Sequence, residues 1–166
     1  MNIKFKEINS DKILAKQLFE KADDEFNYYL GYENGVESAI EEVTNADDKH
    51  KYWIIYNNNE IIGLMYIYDY KEQYHKCSLG YGLLPEYRGK NISSNIINQF
   101  CNWLETNMNI IRIQADIELT NKSCLLFMKK HMTDIGFKYE CTASNYWGQG
   151  INCNIYSRCK YNEKEQ

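Results

Sequence analysis

The chain has 166 residues, 44% of them hydrophobic, and a single proline, enough to close one substantial core without a Ser/Gly-rich linker. Its net charge of −4 opposes a broad basic face, which excludes nucleic acid as a leading partner and stays compatible with a cationic one. No apolar run approaches the roughly 20 residues that cross a bilayer, and the N-terminus lacks a basic-then-apolar secretory stretch. A soluble cytoplasmic protein without a membrane partner is therefore expected.

A short strand is expected at residues 2 to 7, and Ser10 is placed to cap a helix carrying Ile13, Leu14 and Leu18. A second helix follows with Val36, Ala39, Ile40 and Val43 at helical spacing, so two helices separate the first strand from the second. Runs YWIIY (52–56) and IIGLMYIYDY (61–70), joined by the turn-forming NNNE, read as an antiparallel hairpin, which CSLGYGLL (77–84) extends.

Past Pro85 the period changes. Ile92, Ile96, Ile97, Phe100 and Leu104 fall on one face of an amphipathic helix of about four turns. The segment IIRIQADIEL (110–119) then alternates, with Ile111, Ile113, Ala115, Ile117 and Leu119 on one face and Arg112, Gln114, Asp116 and Glu118 on the other. Strand, helix, strand makes a βαβ unit, so these two strands should be parallel. A helix at about 121–132, a strand opening at GFKYE (136–140), a GQG turn (148–150) and a strand at 152–159 complete the chain, and KYNEKEQ reads as a frayed tail.

The stretch LLPEYRGKNISSNII (83–97) ends a strand, turns, and opens a helix with small and polar residues. Such a turn leaves helix N-terminal amides reachable, and those amides with the helix dipole favour a phosphate or pyrophosphate. On physics alone the signal is weak, because many strand-to-helix turns carry a glycine and bind nothing.

YRGKNISS resembles the acetyl-CoA loop of the GNAT N-acetyltransferases, in which an Arg or Gln is followed at the third and fifth later positions by small residues. Here those positions are Arg88, Asn91 and Ser93, with Asn91 standing where glycine is usual and Asn tolerating a left-handed backbone well. SLGYGLLPEYRGK, RIQADIELTN with its following Asn-initiated helix, and GFKYE arrive in the family's order, over roughly residues 52 to 160. The spacing is similar to the ribosomal-protein, or Rim-type, branch.

The resemblance implies a single α/β (α+β) GNAT-like domain over 1–166, with a central mixed, mostly antiparallel sheet of six or seven strands flanked by about four helices. Acceptor-side helices would occupy about 10–45, an acetyl-CoA-binding core about 52–133 and C-terminal strands about 136–160. It also implies acetyl-CoA as co-substrate, held by Leu83, Leu84, Arg88, Gly89, Lys90, Asn91, Ile92, Ser93, Ser94 and Asn121, with its pantetheine arm in a splay between the 77–84 and 110–119 strands. Asn121 reads equally as a helix N-cap.

Amine acetylation needs a neutral amine, stabilisation of the oxyanion and a proton for the departing thiolate. Asp116 lies five residues before Asn121, where some family members place a carboxylate base, and Glu118 shares its face; the alternative is a solvated strand face. The tyrosine acid that many members carry seven residues after the helix-opening Asn is Met128 here. Ser123 offers a hydroxyl at the start of that helix, and Cys124 a thiol that reads better as structural.

DDEFNYYLGYENG (23–35) falls where the family builds one wall of the acceptor site. Asp23, Asp24 and Glu25 are placed to attract a cationic amine and Tyr28, Tyr29 and Tyr32 to pack on it, against the alternative of a solvated helix end and partly buried rings. His50, His75 and His131 are isolated and the six cysteines form no C-x-x-C pair, so no metal is expected and the thiols read as reduced. The 15 tyrosines fall mostly on predicted strands, where cross-strand packing accounts for them.

Transfer of acetyl to a primary amine is thus the leading reading, the acceptor being a protein N-terminus or a small amine such as a polyamine or an aminated antibiotic, and a homodimer is allowed. The competing reading, motivated by Met128 and Asn91, is a CoA-binding sensor or interaction module.

Overall fold

The computed structural model describes residues 2–32 and 34–160; the expected frayed tail beyond Lys160 lies outside them. The order of elements is β1 (Ile3–Glu7), α1 (Lys12–Phe19), α2 (Asp24–Tyr29), α3 (Val36–Thr44), β2 (Lys51–Asn57), β3 (Glu60–Lys71), β4 (Lys76–Leu83), α4 (Ser93–Asn107), β5 (Arg112–Glu118), α5 (Lys122–Phe127), β6 (Lys138–Ala143) and β7 (Cys153–Cys159). The seven strands form a mixed sheet in the order β1-β2-β3-β4-β5-β7-β6. By contacts the chain divides into two compact units, Met1–Tyr70 with Gly80–Ile96, and Lys71–Leu79 with Ile97–Gln166. β4 and α4 therefore each run from one unit into the other.

In the first unit β1 pairs antiparallel with β2 and β2 with β3. Asn58 and Asn59 turn the β2–β3 hairpin at φ 51° and 72°, the left-handed pair that a two-residue primed turn demands and that asparagine supplies at low cost. One core cluster gathers Leu14, Leu18 and Phe19 of α1, Phe26 of α2, Ala39 and Val43 of α3, and Tyr52, Ile54, Ile61 and Leu64 of the hairpin.

Three helices, not two, precede β2. α2 has six residues, too few to persist on its own helicity. It is held by Phe26, which is 3% exposed, and by Asp23, whose carboxylate accepts from the Phe26 amide at 2.8 Å. The α1 cap is Asp11, accepting from the Leu14 amide at 2.9 Å, while Ser10 takes a left-handed turn at φ 68°.

In the second unit β4 pairs in parallel with β5 at Lys76↔Arg112, Cys77↔Ile113 and Ser78↔Gln114, as the βαβ reading requires. β5 pairs antiparallel with β7 along its whole length, and β7 with β6. Phe100, Cys101 and Leu104 of α4, Ile113 of β5, Phe137 just before β6, and Cys153 of β7 are buried. Arg158 clasps this unit: its guanidinium donates to Glu105 at 2.7 and 3.1 Å, to Asn98 at 2.8 Å, to Asn102 at 2.6 Å and to the Ile135 carbonyl at 3.0 Å.

The expected 121–132 helix is shorter and changes pitch. α5 ends at Phe127, Met128–Met132 winds as one π turn and Thr133–Ile135 as a 3₁₀ turn, closed by Gly136 at φ 89°. All six cysteines are free. Among the described residues no helix is long and apolar enough to cross a membrane.

Candidate active site

In the first unit the segment after β4 makes a 3₁₀ turn at Pro85–Tyr87 and then passes two left-handed residues, Gly89 at φ 68° and Asn91 at φ 57°, before α4 opens. Asn91 thus holds the backbone state that the usual glycine would supply. The α4 ladder begins with the Ile96 amide donating to the Ile92 carbonyl at 3.1 Å, so the amides of the preceding turn have no intrahelical acceptor. Ser93 and Ser94 are half-buried there, and exposed Lys90 lies 5.0 Å from the centre of the Tyr87 ring.

Two residues of this segment are already occupied. Arg88 does not offer its charge to an anion: its Nη atoms donate to both Asp23 oxygens at 2.8 and 2.7 Å and to Glu25 at 2.8 Å, and its Nε donates to the Leu83 carbonyl at 3.0 Å. The guanidinium beside Asp23 holds that carboxyl below its usual range. The Leu84 amide donates to the Ile62 carbonyl at 2.9 Å, and the buried Leu83 and Leu84 side chains pack inward.

The same ion pair redraws the acceptor-side reading. Glu25 is spent on Arg88, whereas Asp24 stays exposed. Tyr32 is core, 3% exposed, edge-on to Phe19 at 5.2 Å. Burial raises its hydroxyl well above the ordinary tyrosine value. Tyr28 is half exposed and edge-on to Tyr29 at 4.9 Å. A Cβ on Gly82 of β4 would come within 2.8 Å of the Phe26 and Leu30 side chains, so glycine there lets α2 sit directly on the strand.

In the second unit the polar face of β5 is a continuous string. Arg112 donates to both Glu140 oxygens at 2.8 and 2.7 Å and to Gln114 Oε1 at 3.2 Å. Gln114 Nε2 donates to Asp116 Oδ1 at 2.8 Å and to the Tyr146 hydroxyl at 3.1 Å, and that hydroxyl donates to Asp116 Oδ2 at 3.3 Å. Asp116 is 6% exposed, so the solvated-face alternative fails at this position. The Arg112 pair draws the Glu140 carboxyl down to about 2.

Glu118, on the same face, accepts from the Thr120 hydroxyl. Asn121 caps α5, its Oδ1 accepting from the Cys124 amide at 3.0 Å. Ser123 is exposed in the first turn, and Met128, where a tyrosine acid would stand, is buried at 2% exposure. Desolvation pushes the Cys124 thiol up to about 12, which keeps it protonated and inert. Among the described residues no group of three potential ligands suits a metal ion. Tyr146, in the β6–β7 loop, is the site residue that sequence reasoning misses.

The family model of the acetyltransferase (GNAT) domain matches residues 8–138, and the chain belongs to that family, an acetyl-CoA-dependent N-acetyltransferase. No curated protein sequence matches it. Among solved structures, spermidine N-acetyltransferase from Vibrio cholerae in complex with CoA and spermine has the same fold at a TM-score of 0.74, with 14% identity and 95% of each chain covered. The dodecameric form of that enzyme in an intermediate state gives 0.70 and 14%, covering 99% of this chain and 98% of that one. A SpeG chimera from Vibrio cholerae and hSSAT gives 0.72 and 13%, covering 96% of each.

Proposed function

We propose that the chain acetylates a primary amine of a small polycation, a polyamine being the acceptor class, with Asp116 as the proton acceptor. The buried Asp116 carboxylate, held between Gln114 and Tyr146, carries the reading. An amine must lose a proton as it attacks the thioester, and a fixed carboxylate does this better than solvent. The acidic net charge and the fold shared with spermidine acetyltransferases support a cationic acceptor.

The donor's pyrophosphate is proposed to rest on backbone amides and hydroxyls from Gly89 to Ser94, with Leu83 meeting the acyl carbonyl and Asn121 the cofactor further along. The two left-handed residues ahead of α4, and an α4 backbone ladder that begins only with the Ile96 amide donating to Ile92, support this placement. Arg88 is proposed to shape the loop through its carboxylate pairs rather than to bind phosphate. Glu118 and Ser123 remain secondary proton carriers, and Asp24, Tyr28 and Tyr29 the acceptor contacts. Self-association, expected as a homodimer, belongs to the same proposal and is read by light scattering.

Titration calorimetry of acetyl-CoA, with CoA and ATP as comparisons, comes first, followed by thiol release with spermidine, an N-terminal ribosomal-type peptide and an aminoglycoside. Turnover with spermidine supports the proposal. Turnover with the peptide alone moves the acceptor to the Rim-type reading, and binding without any turnover moves the chain to the CoA-binding module. Ser93→Glu should weaken acetyl-CoA binding about tenfold by placing a negative charge at the α4 N-terminus. Asp116→Asn should lower turnover by about 100-fold or more with cofactor affinity intact.

A further inference from the structure

We infer that Arg88, Asp23 and Glu25 form a clasp through which the bound donor positions α2, so that CoA on the loop sets the wall against which the acceptor amine lies. The inference rests on the donor and acceptor placements proposed above, and it makes these three positioning residues rather than ligand contacts.

The clasp joins the parts that have to be brought into line. Arg88 stands one residue before left-handed Gly89 in the donor loop, and its Nε donates to the carbonyl of Leu83, at the end of β4, at 3.0 Å. From the same guanidinium the Nη atoms reach the N-terminal end of α2, donating to both Asp23 oxygens at 2.8 and 2.7 Å and to Glu25 at 2.8 Å. A fork-to-carboxylate pair fixes orientation as well as distance, so α2 is held in register with the loop rather than merely attracted to it.

α2 itself rests on the end of the same strand. Phe26 and Leu30 lie so close to Gly82 that a Cβ there would come within 2.8 Å of both. Consecutive residues of β4 thus receive α2, Gly82 through apolar packing and Leu83 through Arg88. With six residues α2 has little helicity of its own to resist a shift, and its capping carboxylate is shared between the Phe26 amide and Arg88. A change in where the loop holds Arg88 is therefore passed to the cap, and with it to Asp24, Tyr28 and Tyr29 on the same helix.

Partial exposure makes the clasp responsive. The side chains are 31% exposed at Arg88, 38% at Asp23 and 54% at Glu25, where an ion pair gains little beyond the entropy lost in ordering it. A ligand seated on residues 89–94 fixes the backbone next to Arg88 and removes part of that cost beforehand. The clasp then tightens, and α2 with it. By linkage, an acceptor that fixes α2 tightens the donor by the same factor.

Amide hydrogen exchange on the whole protein, with and without saturating CoA, reads the coupling in wild type, in Asp23→Asn combined with Glu25→Gln, and in Arg88→Lys. Asparagine still accepts from the Phe26 amide, so the cap is kept while the charged clasp is lost. Lysine keeps the charge and loses the fork. In wild type CoA should slow exchange at residues 26–30 about fivefold, and in both variants less than about twofold, with the 89–96 amides protected in all three. Equal protection of α2 in wild type and variants, or none in wild type while the loop is protected, overturns the inference and leaves the donor site in place. Loop amides that bound CoA does not protect overturn the donor placement, and the inference with it.

The acceptor side is read separately, by titrating CoA in the presence of spermidine. Spermidine should lower the Kd for CoA about fivefold in wild type and leave it unchanged in the variants. An α2 that responds to CoA through the clasp, in a protein whose CoA affinity spermidine does not alter, leaves the clasp standing and overturns α2 as the acceptor wall.

Discussion

Arg88 shows how a side chain expected at a ligand becomes a strut. Its partners Asp23 and Glu25 lie 65 and 63 positions away, so no local period links them. Asp23 also caps α2, so one carboxylate holds both the helix and the loop. Asp23→Ala should therefore cost about 2 kcal/mol, cap and charged bond together after allowance for its partial exposure. Glu25→Ala, removing a more exposed partner, should cost well under 1 kcal/mol. Urea denaturation of the two variants measures the difference, and equal losses would mean that the cap adds nothing.

Asp116 and Glu118 were legible because period-2 alternation puts 112, 114, 116 and 118 on one face. Their surroundings were not. Tyr146 is 30 positions from Asp116, in a loop whose only local signal is the GQG turn that follows it.

Among elements, those set by local chemistry were the readable ones: the Asn58–Asn59 hairpin, the α4 stripe and the alternating β5. α2 was missed because a six-residue helix has little signal of its own and depends on burying Phe26. The π turn after α5 escaped because an extra residue per turn leaves the apolar spacing of Met128 and Met132 looking helical.

Packing of β3 on β4 gives a further prediction. A Cβ on Gly63 would lie 2.2 Å from the Gly82 carbonyl oxygen, and backbone cannot yield as a side chain does. At Gly82 the obstacles are side-chain ends of Leu30 and Phe26. Gly63→Ala should thus cost about 3 kcal/mol and Gly82→Ala about 1–2. Thermal unfolding ranks them, and the reverse order would contradict this account of the two strands.

At the scale of the whole molecule, acid stability draws on carboxylates in both units, Asp23 in one and Glu140 in the other. Both have folded values below their unfolded ones, so each contributes stability that is present above the unfolded value and lost as pH falls through the folded one. For Glu140 the window runs from about 4.5 down to about 2. The gap in unfolding free energy, from urea titration, between wild type and Glu140→Gln should be about 1 kcal/mol at pH 7, allowing for solvent screening, and should close across that window. A gap independent of pH would mean that the Arg112 pair contributes through packing alone.

The second unit has one deeper dependence. Arg158 and Glu105 are each 13% exposed, and removing either leaves the other charge buried. Arg158→Met should cost about 3–5 kcal/mol and Glu105→Gln less, since glutamine still accepts from the guanidinium. The family match from 8 to 138 stops short of β7, which supplies this arginine.

The thiols open a practical route. Burial pushes Cys77 and Cys101 up to about 12, while Cys141 is exposed on β6. A maleimide dye given in limiting amount should therefore attach at Cys141, on the strand that leads into the loop carrying Tyr146. The protein comes with its own attachment point for a fluorescent reporter of that loop. The same thiol will colour any disulfide-dye assay of CoA release, so Cys141→Ser is the background in which turnover is best counted.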